Sequence, residues 1–248
     1  MSGLLASEFR RFRSRRLVKG LVALELLAIV ATGVIVFLTQ EYALVGLPDV
    51  LMGTSLVLVS VGWILGASAM GADWHAGHVT TILTWEPGRG RVMLAKIAAA
   101  LTNVFVLSLV IQALLGIALA VAAAGAGSTS GADAAWLAES AGVAVRVALL
   151  STIFAGFGFG LASAGRNTAV ALGVGFGYLV IVENLVRGLR PQWSSWLLTE
   201  NAGLFIVDSP IDFPLLGRST VGAGLYLVAV SAVLLLAATG LFRMRDVN

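Results

Sequence analysis

The segment IAAALTNVFVLSLVIQALLGIALAVAAA, residues 97–124, decides the fold class of this chain. It runs for 28 residues without one charged side chain. At about 1.5 Å per residue, a helix of this length exceeds the roughly 30 Å thickness of the hydrocarbon core of a bilayer. The segment therefore predicts a transmembrane helix.

The rest of the chain repeats this pattern. Of its 248 residues 58% are apolar and only 12% are charged, about half the charged fraction of ordinary soluble domains. The first apolar stretch follows a basic segment but lacks a small-residue cleavage pattern, so we expect a retained anchor. We predict an all-α membrane protein with a single transmembrane domain over residues 1–248. Its predicted spans are residues 17–38, 50–71, 97–124, 141–164, 168–188 and 221–242.

The basic residues predict the orientation of these spans. An even number of spans places both termini on one side, and 12 of the 16 Lys and Arg residues fall on that side. Lys and Arg accumulate in cytoplasmic loops, which predicts cytoplasmic N- and C-termini. The twelve are Arg10, Arg11, Arg13, Arg15, Arg16, Lys19, Arg89, Arg91, Lys96, Arg166, Arg243 and Arg245; the exceptions are Arg146, Arg187, Arg190 and Arg218.

Residues 1–16 predict an amphipathic helix before the first span. Leu5, Phe9 and Phe12 recur at helical spacing, while charged residues occupy the other faces. Such a helix is suited to lie in the membrane interface, where anionic lipid attracts its basic residues. A basic flank without fixed structure, which only directs topology, is the alternative.

An aromatic and proline-rich segment, residues 189–220, separates the last two spans on the outer side. It is too apolar for a solvated linker, and Trp favours the level of the lipid headgroups. We predict short helices or a re-entrant turn there, with Trp193, Trp196, Phe205 and Phe213 as candidates for an extracellular gate. An interfacial cap with only a packing role is an equally open interpretation.

Small residues and rare charges mark the interior of the spans. Glycines four residues apart predict close packing of helices, with a seam between two chains as the alternative: Gly62 with Gly66, Gly156 with Gly160, and Gly173 with Gly177. A charge near the centre of a span is costly, so Glu25, Arg146 and Glu183 are expected to face protein or water. Arg146 and Glu183 lie at matching depth in adjacent spans and are candidates to pair. Pairing of Glu183 with Arg187, one turn later, is the alternative.

The sequence offers few groups for covalent chemistry. It contains no cysteine, and neither Lys19 nor Lys96 lies in the Gly-Lys-Ser/Thr context of a phosphate-binding loop. His75 and His78 with Asp73 are too few for an ordinary metal site. We therefore predict no catalytic residue, no metal site and no cofactor bound by this chain.

The loop after the second span reads GADWHAGHVTTILTWEPGRGRVMLAK, residues 71–96. Val79, Ile82 and Leu83 fall at positions i, i+3 and i+4, which predicts a short helix with one apolar face that Pro87 ends. That face needs a surface to cover it, either the membrane or another protein.

With this loop the chain resembles the permeases of the type-2 ABC exporter family. The shared architecture is a basic amphipathic helix, six spans and re-entrant outer helices between spans five and six. The shared loop elements are Asp73, Gly77, Leu83-Thr84, Pro87, Arg91, and Leu94 with Lys96. The chain departs from the pattern at His78, where Thr is frequent, and at the bulky and charged pair Trp85-Glu86.

The resemblance implies a coupling helix within residues 72–90 that sits in a cleft of a separate ATPase subunit. The residues it assigns to this coupling are Asp73, Gly77, Val79, Ile82, Leu83, Glu86, Pro87 and Arg91. It also implies a bacterial inner-membrane exporter with two ATPase subunits, which bind ATP and magnesium, and a second permease chain, identical or homologous. Membrane lipid is a further expected partner and nucleic acid is not. A stand-alone carrier or channel and a subunit that anchors a cytoplasmic partner remain open.

Overall fold

The computed structural model describes residues 2–86 and 88–244, with the side chains of all of these except Ser2 and Thr80. The helices in this part of the chain are α1 (Ser2–Ser14), α2 (Arg16–Thr39), α3 (Leu47–Gly53), α4 (Ser55–His75), α5 (His78–Trp85), α6 (Arg89–Ala126), α7 (Ala134–Gly165), α8 (Thr168–Gly177), α9 (Glu183–Leu189), α10 (Leu198–Val207) and α11 (Thr220–Met244). Short 3-10 turns precede α3 and flank α10, and a π-helical turn joins α8 to α9.

Six helical segments in this structure are long and apolar enough to cross a membrane. They are Arg16–Thr39, Leu44–His75, Arg89–Ala126, Ala134–Gly165, Thr168–Leu189 and Thr220–Met244. The six predicted spans are thus confirmed as helices, and the chain is a multi-pass, all-helical membrane protein. Several helices extend past the predicted limits because helical backbone continues into polar residues beyond the apolar stretch.

The spans pack around α7, whose most apolar stretch is 72% buried against 11% for that of α2. Glycines set the distance between α4 and α7. A Cβ added at Gly66 would lie 2.0 Å from the carbonyl oxygen of Ala155, and one at Gly158 would lie 2.2 Å from that of Trp63. The backbones of α4 and α7 therefore touch, as small residues allow between membrane helices.

The predicted glycine pairs behave differently from one another. Gly62 and Gly66 lie against α7, while Gly156 and Gly160 lie under side chains of α11, so both predictions of close packing are confirmed. The prediction is wrong within this chain for the third pair. A Cβ added at Gly173 or Gly177 would meet no atom within 4 Å, because this side of α8 faces outward.

The two ends of the bundle differ in composition. The end that carries α1, α5 and the last turn of α11 is called the basic end. There the ring of Trp74 lies 5.9 Å from that of Phe242, and the guanidinium of Arg166 lies 4.8 Å above Trp74. The structure thus brings together, at one end of the bundle, loops that were predicted to lie on the same side because of their basic residues. The opposite, distal end carries the segment around α10.

The helix is interrupted in two of the spans, and in each case a polar side chain lies next to the interruption. The second span breaks at Thr54, between α3 and α4, and the amide nitrogen of Gln112 donates to Thr54 Oγ1 at 3.1 Å and to the Leu51 carbonyl at 3.4 Å. The fifth span contains the π-helical turn Tyr178–Val182, which adds a residue to one turn. Glu183, which follows this turn directly, is fully buried.

Candidate functional site

Five charged side chains meet at the basic end, where they connect α1 to α4 and α6. This charge cluster consists of Glu8, Arg11, Arg15, Asp73 and Lys96. Asp73 is 2% exposed, and its carboxylate accepts hydrogen bonds from Arg11 Nη2 at 3.0 Å, from Arg15 Nη2 at 2.8 Å and from Lys96 Nζ. Lys96, 3% exposed, also donates to both Glu8 carboxylate oxygens at 3.1 Å. Each charge in the cluster therefore has an opposite charge in contact.

The face of α1 that packs on the bundle differs from the predicted one. Arg11 and Phe12 lie three and four residues after Glu8, so the two charges share a face of α1 with the buried Phe12, and Arg15 follows just beyond the end of the helix. Leu5 and Phe9 are only half-buried. The interpretation of the charged residues as pointing away from the apolar face is wrong for Glu8 and Arg11, because Asp73 and Lys96 supply opposite charges there.

Arg15 fastens the junction between the first two helices. It is the one residue between α1 and α2 that is not helical. Besides Asp73 it contacts the backbone of α4, donating to the Ser68 carbonyl at 2.5 Å and to the Ala69 carbonyl at 3.1 Å. The direction in which α1 leaves the membrane span is therefore fixed by α4.

The last turn of α4 contacts most of the basic end through two adjacent residues. Asp73 connects it to α1 and α6, while Trp74, about 100° further around the helix, contacts Phe242 of α11 and Arg166 of the α7–α8 loop. Gly77 then turns the chain into α5 with a φ of 67°. This left-handed conformation costs other L-residues roughly 1–2 kcal/mol, which explains the glycine.

Helix α5 is attached to its own chain through its apolar face. Val79 is 2% exposed and belongs to the hydrophobic core, and Leu83 packs against that core. The expectation that the apolar face as a whole needs an outside surface is therefore wrong for these residues. The outward side carries Trp85, which is 88% exposed, with His78 and Thr81.

The other residues predicted for coupling surround this helix. Ile82 and Glu86 are half-buried, and the Glu86 carboxylate lies 3.4 Å from Arg91 Nη1, an ion pair at the base of the loop. Pro87 lies outside the described residues. Asp73 belongs to the charge cluster and does not lie on the loop surface.

At the distal end, Glu183 anchors the segment between the last two spans. Its carboxylate is fully buried and accepts from the Leu198 amide at 2.7 Å, and from the amide and the hydroxyl of Thr199. Leu197, the residue before α10, has no side-chain oxygen to cap the helix. Glu183, which belongs to α9, supplies that cap. The dipole of α10 also favours a negative charge at its N-terminus.

This contact replaces the pairings predicted for the intramembrane charges. Arg146 pairs with Asp208 and not with Glu183, while Arg187 donates to Glu200 at 2.7 Å. Hydrogen bonding from Thr220 and the charge of Arg146 hold the pKa of Asp208 below its usual range. The predicted pairs of Glu183 with Arg146 and with Arg187 are therefore both wrong, because the Glu183 carboxylate is hydrogen-bonded to the N-terminus of α10.

Glu25 is a buried carboxyl of a different kind. It is one of the buried residues of α2 and is 7% exposed. Neither of its oxygens has a hydrogen-bond partner within the described part of the chain. The prediction that Glu25 faces protein is confirmed.

The four aromatic gate candidates divide into two pairs. Phe205 lies against Gly224 of α11, so its ring packs the segment onto the bundle, whereas Phe213 lies against Gly203 of α10 and packs within the segment itself. Trp193 and Trp196 are 56% and 64% exposed.

An apolar groove of about 680 Å³ lies beside this segment, between α3–α4, α7, the fifth span and α10. Phe154, Phe176 and Ile206 are among its walls, and Asn184 and Thr199 are among its few polar groups. Its chemistry suits a hydrophobic or amphipathic molecule.

Sequence reasoning missed Glu8, Arg11, Arg15 and Lys96 as members of a site. One signal was present: Glu8 is an isolated acidic residue in a basic segment, at helical spacing from Arg11 and Arg15. Among the described residues, no group of three or more acidic or His side chains is placed to hold a metal ion. Asp73, the proposed companion of the two histidines, is held by its cationic neighbours.

Substituting Glu183 tests the anchor at the distal end. Glu183→Ala is expected to loosen α10, because the buried cap contributes hydrogen bonds worth roughly 1.5–3 kcal/mol each when one partner is charged. Hydrogen exchange of the α10 amides is expected to accelerate about tenfold or more. Glu139→Ala, which removes an exposed carboxylate from α7, is the control. Equal exchange of α10 in the two variants contradicts the anchoring role.

No protein-family model matches this chain, and no curated protein matches it. A proposal for its function therefore depends on the loop motif and on the geometry described above.

Proposed function

We propose that the chain is the transmembrane permease subunit of an ATP-driven exporter of the type-2 ABC class. Two such chains, identical or homologous, assemble with two cytoplasmic ATPase subunits in a bacterial inner membrane, with the basic end toward the cytoplasm. The chain itself hydrolyses no ATP in this scheme. It forms the path for a hydrophobic or amphipathic substrate.

One observation carries the proposal: α5 presents Trp85 at the basic end, 88% exposed, on a helix whose other face is fixed to the bundle. Trp is enriched among the few residues that contribute most of the binding energy of protein–protein interfaces. The helix occupies the position in the sequence where the resembling family docks its ATPase. The buried Val79 strengthens this role, because a coupling helix transmits force only if it is attached to the spans.

The contacts of α4 suggest how the movement would be transmitted. A push on α5 reaches the last turn of α4 through Gly77. A movement of this turn would displace α1 and α6 through the contacts of Asp73. It would displace α11 and the α7–α8 loop through the contacts of Trp74. Because α4 and α7 are in backbone contact, they are expected to move as one body.

The groove at the distal end supports an exporter of apolar cargo. It lies next to the segment that Glu183 anchors, so displacement of α10 would alter its width. The groove is lined by few polar groups, and among the residues that the structure describes Glu25, Arg146 and Glu183 have no contact with one another that could form a relay across the membrane. This disfavours a carrier driven by protons or ions.

Purification of the tagged full chain from its own cells in mild detergent tests the proposal. We expect an ATP-hydrolysing subunit with a phosphate-binding loop, identified by mass spectrometry, at a ratio of one to one. Trp85→Ala is expected to weaken its association by roughly 30-fold, since interface hot spots are worth about 2 kcal/mol or more.

Trp193→Ala, which removes a 56% exposed indole at the distal end, serves as the control and is expected to leave the association unchanged. The proposal fails if the purified chain alone transports substrate in proteoliposomes. It also fails if Trp85→Ala and the control retain the ATPase equally well.

A further inference from the structure

A second cavity, of about 450 Å³, opens at the basic end between α1, α2 and α6. Its polar groups are Arg13, Lys19 and Asn103, and the remaining wall is apolar. Val110 belongs to that wall and lies seven residues beyond Asn103 on α6, a distance of about 10 Å along the helix. The cavity thus combines cationic groups at one end with an apolar channel that runs into the membrane region.

The cations of this cavity are available to an external anion. At the basic end, the carboxylates of Glu8 and Asp73 are engaged by the charge cluster, and that of Glu86 pairs with Arg91. No carboxylate contacts Arg13 or Lys19 among the residues that the structure describes. Both side chains are exposed.

Arg13 is held in position by a buried amide. Its Nε donates to Asn103 Oδ1 at 2.8 Å, and the Asn103 amide nitrogen donates to the Ala99 carbonyl at 2.7 Å. Asn103 is 6% exposed, so the acceptor side of this contact is buried. Fixing Nε leaves the two terminal nitrogens of the guanidinium to face a ligand, the arrangement that suits a phosphate group.

We propose that this cavity is a binding site for one anionic phospholipid, whose phosphate contacts Arg13 and Lys19 and whose acyl chain lies along the wall toward Val110. The charge complementarity and the apolar channel select this ligand over a soluble anion. Basic pockets between transmembrane helices are a recurrent mode of headgroup recognition. The proposal is independent of the function proposed above.

The position of the cavity gives the lipid a structural consequence. Phe12 lines the cavity, and it lies on α1 between Arg11 and Arg15 of the charge cluster. A bound lipid therefore fills the wedge between α1 and α6 and stabilises the attachment of α1. We expect delipidated protein to gain thermal stability when this lipid is returned.

Binding to the detergent-purified full chain, measured by native mass spectrometry and by thermal shift, tests the proposal. Phosphatidylglycerol is expected to bind and stabilise, whereas phosphatidylcholine and inorganic phosphate are not. The double variant Arg13→Gln/Lys19→Gln is expected to bind phosphatidylglycerol roughly 30-fold more weakly. Arg10→Gln/Arg16→Gln removes two exposed cations outside the cavity and is expected to retain binding.

A further variant separates the headgroup from the acyl chain. Val110→Trp fills the apolar wall and leaves both cations in place, so it is expected to lose the lipid about as completely as the double variant. Three results would overturn the proposal: equal loss in the two double variants, equal binding of phosphatidylcholine, or inorganic phosphate that competes at the same site while Val110→Trp binds lipid normally.

Discussion

Replacing Asp73 by alanine is expected to lower the free energy of unfolding by about 3–5 kcal/mol, the cost of removing one partner from a buried ion pair. Three cations, Arg11, Arg15 and Lys96, now donate to this one carboxylate. Without it only Glu8 remains to balance them. Denaturation of the detergent-solubilised protein, followed by circular dichroism or intrinsic fluorescence, measures the loss.

Two further variants make this result specific. Asp212→Ala removes an exposed carboxylate at the distal end and is expected to change the stability by less than about 0.5 kcal/mol. Lys96→Met, which removes one of the stranded cations, is expected to recover part of the loss when combined with Asp73→Ala. Strictly additive effects of the two substitutions contradict a direct contact between the side chains.

The spans were predictable from the sequence because the bilayer imposes one large constraint. Residues 97–124 contain no charge, and hydrocarbon excludes any backbone conformation that leaves its polar groups unpaired, so a helix is the main solution. The ends of the helices were less certain. Nothing in that constraint decides how far a helix such as α6, which begins at Arg89, continues into the polar zone.

The charge cluster was not predictable in the same way. Its members come from residues 8–15, from Asp73 and from Lys96, and only the folded chain brings the three regions together. Local periodicity assigned the face of α1 by its apolar residues. The burial of Glu8 depended instead on an opposite charge 88 residues away in the sequence.

A similar limit applies to Glu183. Its depth in the span suggested a basic partner, since opposite charges are the usual means of stabilising a buried carboxylate. The π-helical turn before it and the uncapped N-terminus of α10 provided another partner, made of backbone amides. Neither feature has a signature in the sequence comparable to a pattern of charges.

Substituting Gly66 by alanine is expected to have the second large effect, a destabilisation of about 3 kcal/mol, at the upper end of the range for overpacked cores. The added methyl group would lie 2.0 Å from the carbonyl oxygen and 2.7 Å from the Cα of Ala155. Both atoms belong to the backbone of α7, so no side-chain rotation relieves the contact. The two helices must separate, and their other contacts weaken with them.

Gly173→Ala is the matched control, because it makes the same substitution inside another spanning helix where a Cβ meets nothing within 4 Å. It is expected to leave stability unchanged or to raise it by up to about 1 kcal/mol, since alanine favours the helix. Thermal unfolding of both variants in one detergent gives the comparison. If Gly66→Ala unfolds at the same temperature as Gly173→Ala, α4 and α7 are not in backbone contact, and their expected movement as one body loses its basis.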